Sequence, residues 1–235
     1  MIVLVAFNLL PKDRARELGK LVPEADDIST TVSGLLPSTA TPNVQPASGG
    51  GATVVPLPAG FGTRGSWYEL YFTDPSNPLA AQQTGGPDGP VAAAIDQARL
   101  TVDAAMYSLS LDSVRNALIR AHNRGVQVRV VMESDNSDRS DPQALVEAGI
   151  PLLGDRREGL MHDKFIVIDG AEVWTGSMNF TDSGTYEDSN NLIRIRSTRV
   201  AEDYTTEFNE MFVEDLFGPD ARTATPHPRV TLDGT

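Results

Sequence analysis

The sequence contains no cysteine, which excludes disulfide bridges, cysteine nucleophiles and zinc sites built on thiolates. Basic residues are also scarce, because 19 Lys and Arg stand against 32 Asp and Glu and give a formal net charge of −13. Such a chain has no general positive field that would gather a polyanion such as DNA. Any phosphate binding must therefore be local.

Long hydrophobic runs are absent as well. Residues 2–10 are apolar, but a membrane-spanning helix needs roughly 20 such residues, so no stable membrane span is expected. The run lacks the basic stretch that precedes the apolar part of an export signal, so it is either a clipped signal or the start of an amphipathic segment. The compartment stays open, with a secreted or cell-envelope location slightly favoured over the cytoplasm.

Composition divides the chain into four parts. An apolar, amphipathic segment covers residues 1–22, and a tether rich in Pro, Gly, Ser and Thr covers residues 23–65. Residues 66–218 have the length and apolar content of one catalytic domain. Residues 219–235 are a Pro- and Thr-rich linker, or the start of a second repeat that lies beyond this sequence.

Within the domain, β-rich runs alternate with helical patterns. Strands are expected at residues 67–73, 101–110, 126–132, 165–168, 173–175 and 191–195, and helices at residues 90–99, 113–124, 141–148 and 200–217. The alternation predicts an α/β fold in which a mixed β-sheet is sandwiched between helices.

One segment concentrates the polar chemistry. Residues two apart on a strand point to the same face, so His162 and Lys164 are expected to project together while Asp163 points away. The run that follows, residues 165–168, has no polar residue and is expected to be the buried strand that holds the pair.

A hairpin is expected next, with Asp169 and Gly170 at its turn. Its returning strand would bring Gly176, Ser177 and Asn179 back beside the histidine and the lysine. A hydroxyl, a carboxamide and backbone N–H groups are all ligands for a phosphate.

With these spacings the sequence resembles the phospholipase D superfamily. The family signature is His-x-Lys, four residues, Asp, six residues and Gly-Ser-x-Asn, and one copy fills every fixed position: His162, Lys164, Asp169, Gly176, Ser177 and Asn179. The resemblance extends over roughly residues 67–217 and implies a phospholipase D-like domain with a single histidine–lysine–aspartate motif. Trp174, Met161 and Met178 are interpreted as packing residues.

The resemblance implies a mechanism without metal or cofactor. His162 would attack phosphorus to form a phosphohistidine, and a second histidine would protonate the leaving oxygen. Lys164, Ser177 and Asn179 would bind the phosphate oxygens and stabilise the transition state. Asp169 stays open between direct chemistry and support of the turn.

The sequence departs from the family at one supporting position. Some single-copy nucleases of the family place a glutamate thirteen residues after the signature serine to orient the histidine ring, and this chain has Asn190 there. Asn190 can accept the ring N–H bond without supplying a charge, and Glu187 or Asp188 could substitute.

The mechanism needs two histidines where the motif supplies one. Neither His122 nor His227 lies in a second copy of the motif, so the second histidine must come from a symmetric homodimer or from a missing repeat.

A phospholipid head group is slightly favoured as the substrate, with DNA or RNA as the alternative and a catalytically silent binding or assembly module as a third reading. Arg156 and Arg157 before the motif are the better candidates for steering an anionic substrate, ahead of Arg194 and Arg196.

Overall fold

The structure, a computed structural model, describes residues 52–157, 159–222 and 224–232. The amphipathic segment 1–22 and most of the expected tether lie outside the described residues. No helix in the described ranges is long and apolar enough to cross a bilayer.

A mixed sheet forms the centre of the fold, and the described residues contribute nine strands to it. Their order is β1-β2-β3-β9-β8-β7-β4-β5-β6, with β4, β5 and β6 parallel and every other neighbouring pair antiparallel. The strands are β1 Thr53–Val55, β2 Gly60–Arg64, β3 Tyr68–Thr73, β4 Thr101–Met106, β5 Gln127–Met132, β6 Leu152–Gly154, β7 Lys164–Ile168, β8 Glu172–Gly176 and β9 Asn191–Arg196.

Helices cover both faces of the sheet. They are α1 Asp88–Gln97, α2 Asp112–Asn123, α3 Ser134–Ser137, α4 Ser140–Glu147, α5 Asp182–Tyr186 and α6 Thr198–Phe212, with short 3₁₀ turns at Ala80–Gln82 and Gly218–Asp220. One core contains Ile95, Leu118 and Trp174, and the core on the other face contains Phe165 and Phe208. The predicted sandwich of helices around a mixed sheet is confirmed.

Periodic apolar residues explain why helix α2 forms where the sequence predicted it. In α2, Val114, Ala117, Leu118 and Ala121 are buried along one stripe. The helix ends before Gly125, whose φ of +88° suits a residue without a Cβ.

The tether prediction is wrong for its last part. Residues 53–64 form β1 and β2, which pair in series and join the sheet through β3. These short strands, which contain Thr, Val and Gly, show no clear alternation of apolar and polar residues that would have predicted them. Hydrogen bonding to a neighbouring strand stabilises them instead. The folded unit therefore begins before residue 66.

Three other elements, β6, α3 and α5, were not expected from the sequence. Helix α4 begins at Ser140, one residue earlier than the predicted start at residue 141. Asp141 pairs with the Arg115 guanidinium of α2.

The strand ends that carry the motif residues lie at one edge of the sheet. Strands β4 and β5 run parallel and end there, at Met106 and Met132. Strand β7 is antiparallel to β4 and begins there, since Lys164 pairs with Met106. Strand β8 ends and β9 begins at the same edge, where Gly176 pairs with Leu192.

Candidate active site

His162 and Lys164 lie together at this edge. Lys164 opens β7 and is buried, with a relative exposure of 9%, and its ammonium donates a hydrogen bond of 2.8 Å to the carbonyl of His162. His162 as a whole is exposed, yet its ring packs against Tyr107 with centroids 4.7 Å apart and planes at 68°. The two residues that the sequence predicted to cooperate are therefore neighbours.

The electrostatics of the pair suit a nucleophile beside a cation. Burial, and then the nearby Lys164 ammonium, lower the pKa of His162 below its usual 6.5. Burial lowers the pKa of Lys164 to about 8. Near neutral pH the imidazole is accordingly uncharged while the lysine is still largely protonated.

Asp163 precedes β7 and lies within electrostatic range of both Lys164 and helix α6. Burial raises the pKa of its carboxyl, and the carboxylate interacts with Glu207 and Tyr204 of α6. Burial, followed by the charge of Asp163, raises the pKa of Glu207 to about 7. Two poorly hydrated carboxyl groups thus lie close to the start of β7.

The hairpin returns the second half of the motif to the same edge. Asp169 and Gly170 have φ angles of +53° and +60° at its turn, and Phe165 pairs with Thr175. Gly176 is required by close packing, because an added Cβ would lie 2.3 Å from the carbonyl oxygen of Asn191. Ser177 follows immediately, across from the start of β7.

Asn190 contacts the motif serine. The Ser177 hydroxyl donates to Oδ1 of Asn190 at 2.8 Å and accepts from the backbone N–H of Asn191 at 3.1 Å. The Asn190 amide donates to the Gly184 carbonyl at 2.8 Å. No hydrogen bond among the described residues joins Asn190 to the His162 ring, and the contacts of its amide group are to the serine and to α5.

The two acidic neighbours of this asparagine do not reach the histidine either. Glu187 is exposed, and Asp188 contributes its carbonyl to the Thr73 hydroxyl. No hydrogen bond or ion pair found within the described ranges joins either carboxylate to His162.

Asn179 leaves a polar group without a partner at the back of the site. Its Oδ1 and the hydroxyl of Ser108 are the two buried side-chain polar atoms in the described part of the chain that lack a hydrogen bond. They lie one residue before the bridged pair Leu109 and Phe180, so the two segments run side by side. An unpaired buried polar group costs about 1–3 kcal/mol, a cost that functional sites often carry.

Asp169 lies at the opposite edge of the sheet. Its carboxylate accepts hydrogen bonds from the backbone N–H groups of Arg99 at 3.0 Å, Leu100 at 2.7 Å and Thr101 at 3.0 Å. Five residues of β7 separate it from His162. Of the two roles considered for Asp169, the contacts support the structural one.

The arginines expected to steer a substrate are held by carboxylates. Arg156 and Arg157 both contact Asp215, and the Arg157 guanidinium also lies 4.6 Å from the ring centroid of Phe217. The arginines of β9 are paired as well: Arg194 with Glu172 at 2.5 Å and Arg196 with Glu69.

The two remaining histidines lie away from the motif. His122 is in the last turn of α2, which leads to the start of β5 at the far edge of the sheet. His227 contacts Glu202 near the start of α6, which follows the far end of β9. Both placements agree with the expectation that neither is the acid of this site.

Two residues at the site were missed from the sequence. Tyr107 follows β4 and packs on His162, whereas Glu133 follows β5 and accepts a hydrogen bond of 2.7 Å from the backbone N–H of Met161. Their position in the sequence could have identified them. Polar residues directly after buried parallel strands lie at the carboxyl ends of those strands, where ligand-binding sites form in α/β sheets.

Comparison with known proteins places this geometry in a family. Residues 91–212, slightly more than half of the chain, match the family described as cardiolipin synthase, PLD-like domain. A mitochondrial cardiolipin hydrolase of Xenopus tropicalis is 32% identical over 120 residues, covering 50% of this chain and 57% of that protein. A phospholipase D of Rickettsia prowazekii is 35% identical over 112 residues, covering 47% and 55%. The matched region spans little more than half the length of these relatives.

Solved structures agree with the family match. Nuc from Salmonella typhimurium, a phospholipase D family member, superposes with a TM-score of 0.53 at 25% identity, covering 66% of this chain and 98% of that one. NucT from Helicobacter pylori shares the fold, with a TM-score of 0.51 at 20% identity and coverage of 64% and 98%. The chain belongs to the phospholipase D superfamily, several of whose matched members are named as phosphodiesterases.

Proposed function

We propose that this chain is a phosphodiesterase that forms a phosphohistidine at His162. The observation that carries the proposal is the pairing of a readily neutral imidazole, whose ring packs on Tyr107, with the buried ammonium of Lys164. The hairpin supports it by returning Ser177 and Asn179 to the same edge of the sheet.

The reaction proceeds in two displacements. The neutral His162 ring attacks phosphorus, the bond to the leaving alcohol breaks, and a second imidazolium donates its proton to the departing oxygen. Water then attacks the phosphohistidine, the phosphorus–nitrogen bond breaks, and the second imidazole takes the proton of the water. Lys164, Ser177 and Asn179 bind the non-bridging oxygens, where negative charge grows in the transition state.

The second histidine comes from another copy of the chain or from a following repeat. An apolar surface beside the site supports this part of the proposal. Phe61 and Phe72 pair across β2 and β3 with exposures of 63% and 46%, and Phe72 pairs with Asn191, which contacts Ser177. Burying such a surface against a second half would bring two His162-bearing edges together.

A phospholipid head-group diester is the favoured substrate. The named activities of the cardiolipin hydrolase and phospholipase D relatives support it. The net charge of −13 and the pairing of the four arginines nearest the motif disfavour a nucleic-acid track.

Cleavage of DNA or RNA is the second candidate. It is supported by the likeness to Nuc and NucT, since this chain covers 98% of each of those chains. The resemblance identified from the motif includes single-copy nucleases with this arrangement.

One assay series separates these possibilities. The protein is incubated with vesicles of phosphatidylcholine or cardiolipin and with single- and double-stranded DNA, each with and without EDTA, and with His162→Asn as the control. The proposal expects head-group release that persists in EDTA and disappears in the variant. DNA cleavage alone would establish the second candidate, and no turnover of any diester would establish a silent module. Activity lost in EDTA and restored by a divalent ion would overturn the phosphohistidine scheme.

A further inference from the structure

Tyr107 occupies a rigid position at the catalytic edge. It follows β4 directly, and its backbone N–H donates to the carbonyl of Asp163 at 3.0 Å. Its own carbonyl accepts from the side-chain amide of Asn136, a buried residue of α3, at 2.7 Å. The backbone of Tyr107 is thus tied to the motif strand on one side and to α3 on the other.

The ring of Tyr107 contacts both charged elements of the motif. Its centroid lies 4.7 Å from that of the His162 ring in an edge-to-face arrangement, and 5.3 Å from the Lys164 ammonium nitrogen. Aromatic pairs at this spacing prefer such tilted geometry, and a ring face attracts a cation within about 6 Å. One side chain can therefore hold the plane of the nucleophile and stabilise the neighbouring cation.

The phenol hydroxyl has no corresponding contact. No hydrogen bond from the Tyr107 hydroxyl is present among the residues that the structure describes, whereas the ring has two defined neighbours. The ring carries the interaction.

We infer that Tyr107 is a positioning residue of this site, acting through its ring on His162 and Lys164. The inference rests on the proposed function for its kinetic consequence, while the ring contacts themselves do not depend on it. Removing the ring should loosen the imidazole and make the lysine easier to deprotonate.

Other charged groups near Lys164 also affect how easily its ammonium loses a proton. Asp163, which directly precedes β7, favours the ammonium, and His162 adjoins it. From α6, Glu207 and Tyr204 face Asp163 rather than the lysine, and Glu210 faces Glu207. Tyr107 is the aromatic contact that β4 presents to the ammonium.

The kinetic test compares Tyr107→Phe, which keeps the ring, with Tyr107→Leu, which removes it. With bis(p-nitrophenyl) phosphate as substrate, Tyr107→Phe should stay within about twofold of the wild type, and Tyr107→Leu should lose about tenfold in kcat with little change in KM. The alkaline fall of the Tyr107→Leu pH profile should begin at lower pH. Equal losses in both variants would assign the effect to the hydroxyl and overturn the inference, as would an unchanged Tyr107→Leu profile.

A second measurement does not depend on turnover. NMR titration of the Lys164 side chain should show deprotonation at lower pH in Tyr107→Leu than in the wild type and in Tyr107→Phe. An identical titration in all three proteins contradicts the inference, even if the wild type proves inactive on phosphodiesters and the proposed function fails. If thermal melting shows that Tyr107→Leu is unfolded, Tyr107→Met carries the same prediction.

Discussion

The hydroxyl of Ser177 donates a hydrogen bond to Oδ1 of Asn190, and the backbone N–H of Asn191 donates to that same hydroxyl oxygen. The serine side chain is therefore held from two sides before any substrate arrives. Asn190 contacts the serine of the motif, and no hydrogen bond within the described residues joins it to His162.

A double-mutant cycle tests this relationship. Asn190→Ala and Ser177→Ala are each expected to lower kcat/KM about tenfold, and the double variant should lose little more than either one, since the two residues act as a unit. Ser189→Ala, an exposed neighbour, is the matched control and should be close to the wild type. Additive losses in the double variant would show that Asn190 works through another group.

His162→Asn and Asp169→Asn are expected to fail in different ways. The first removes the nucleophile and should abolish turnover while the melting temperature is retained. The second weakens a carboxylate that accepts three backbone N–H groups at the far edge, so it should cost roughly 1–3 kcal/mol of unfolding free energy. Below its melting temperature, Asp169→Asn should keep kcat near the wild-type value. Turnover by His162→Asn would remove the histidine from the mechanism.

Glu207 should make stability depend on pH. Burial raises its pKa from 4.5 to about 7, so its favourable contribution is complete below pH 4.5 and is lost as the pH rises through 7. Glu207→Gln should therefore stabilise the fold by roughly 1–3 kcal/mol at pH 8 and not at pH 4. Urea unfolding at both pH values measures this, with the exposed Glu147→Gln as the control. A gain of equal size at both pH values would contradict ionisation as the cause.

The apolar surface beside the site gives a prediction about assembly. If the second histidine comes from another copy, Phe61→Asp or Phe72→Asp should raise the dimer dissociation constant at least about tenfold and make specific activity fall on dilution. Leu100→Asp, at a residue that is 68% exposed but lies at the far edge, should leave association unchanged. Light scattering with activity measured across a dilution series decides. A wild-type monomer with full, concentration-independent activity would mean that another group serves as the acid.

The motif allowed much of the site to be predicted, because strand alternation and a two-residue turn are local features. They correctly placed His162 beside Lys164 and located the turn at Asp169 and Gly170. The four longer helices, α1, α2, α4 and α6, were predictable for the same reason, since each buries apolar residues along one face.

The errors concern contacts between residues far apart in the chain. Asp169 binds the backbone of residues 99–101, and Tyr107 meets His162 only through the register of β4 against β7. Asn190 is only thirteen residues from Ser177 in the chain. The hydrogen bond between them nevertheless depends on the pairing of β9 with β8, which brings the start of one strand beside the end of the other. Strands β1 and β2 were missed because their stability comes from pairing with β3 rather than from their own composition.

The central claim is that hydrolysis passes through a covalent intermediate on His162, and the stereochemical course at phosphorus tests it most directly. One diastereomer of a phosphorothioate diester is hydrolysed in ¹⁸O-labelled water, and the configuration of the product is determined. Two successive in-line displacements, one by His162 and one by water, predict net retention. Net inversion would show that water attacks the diester directly and would contradict the account.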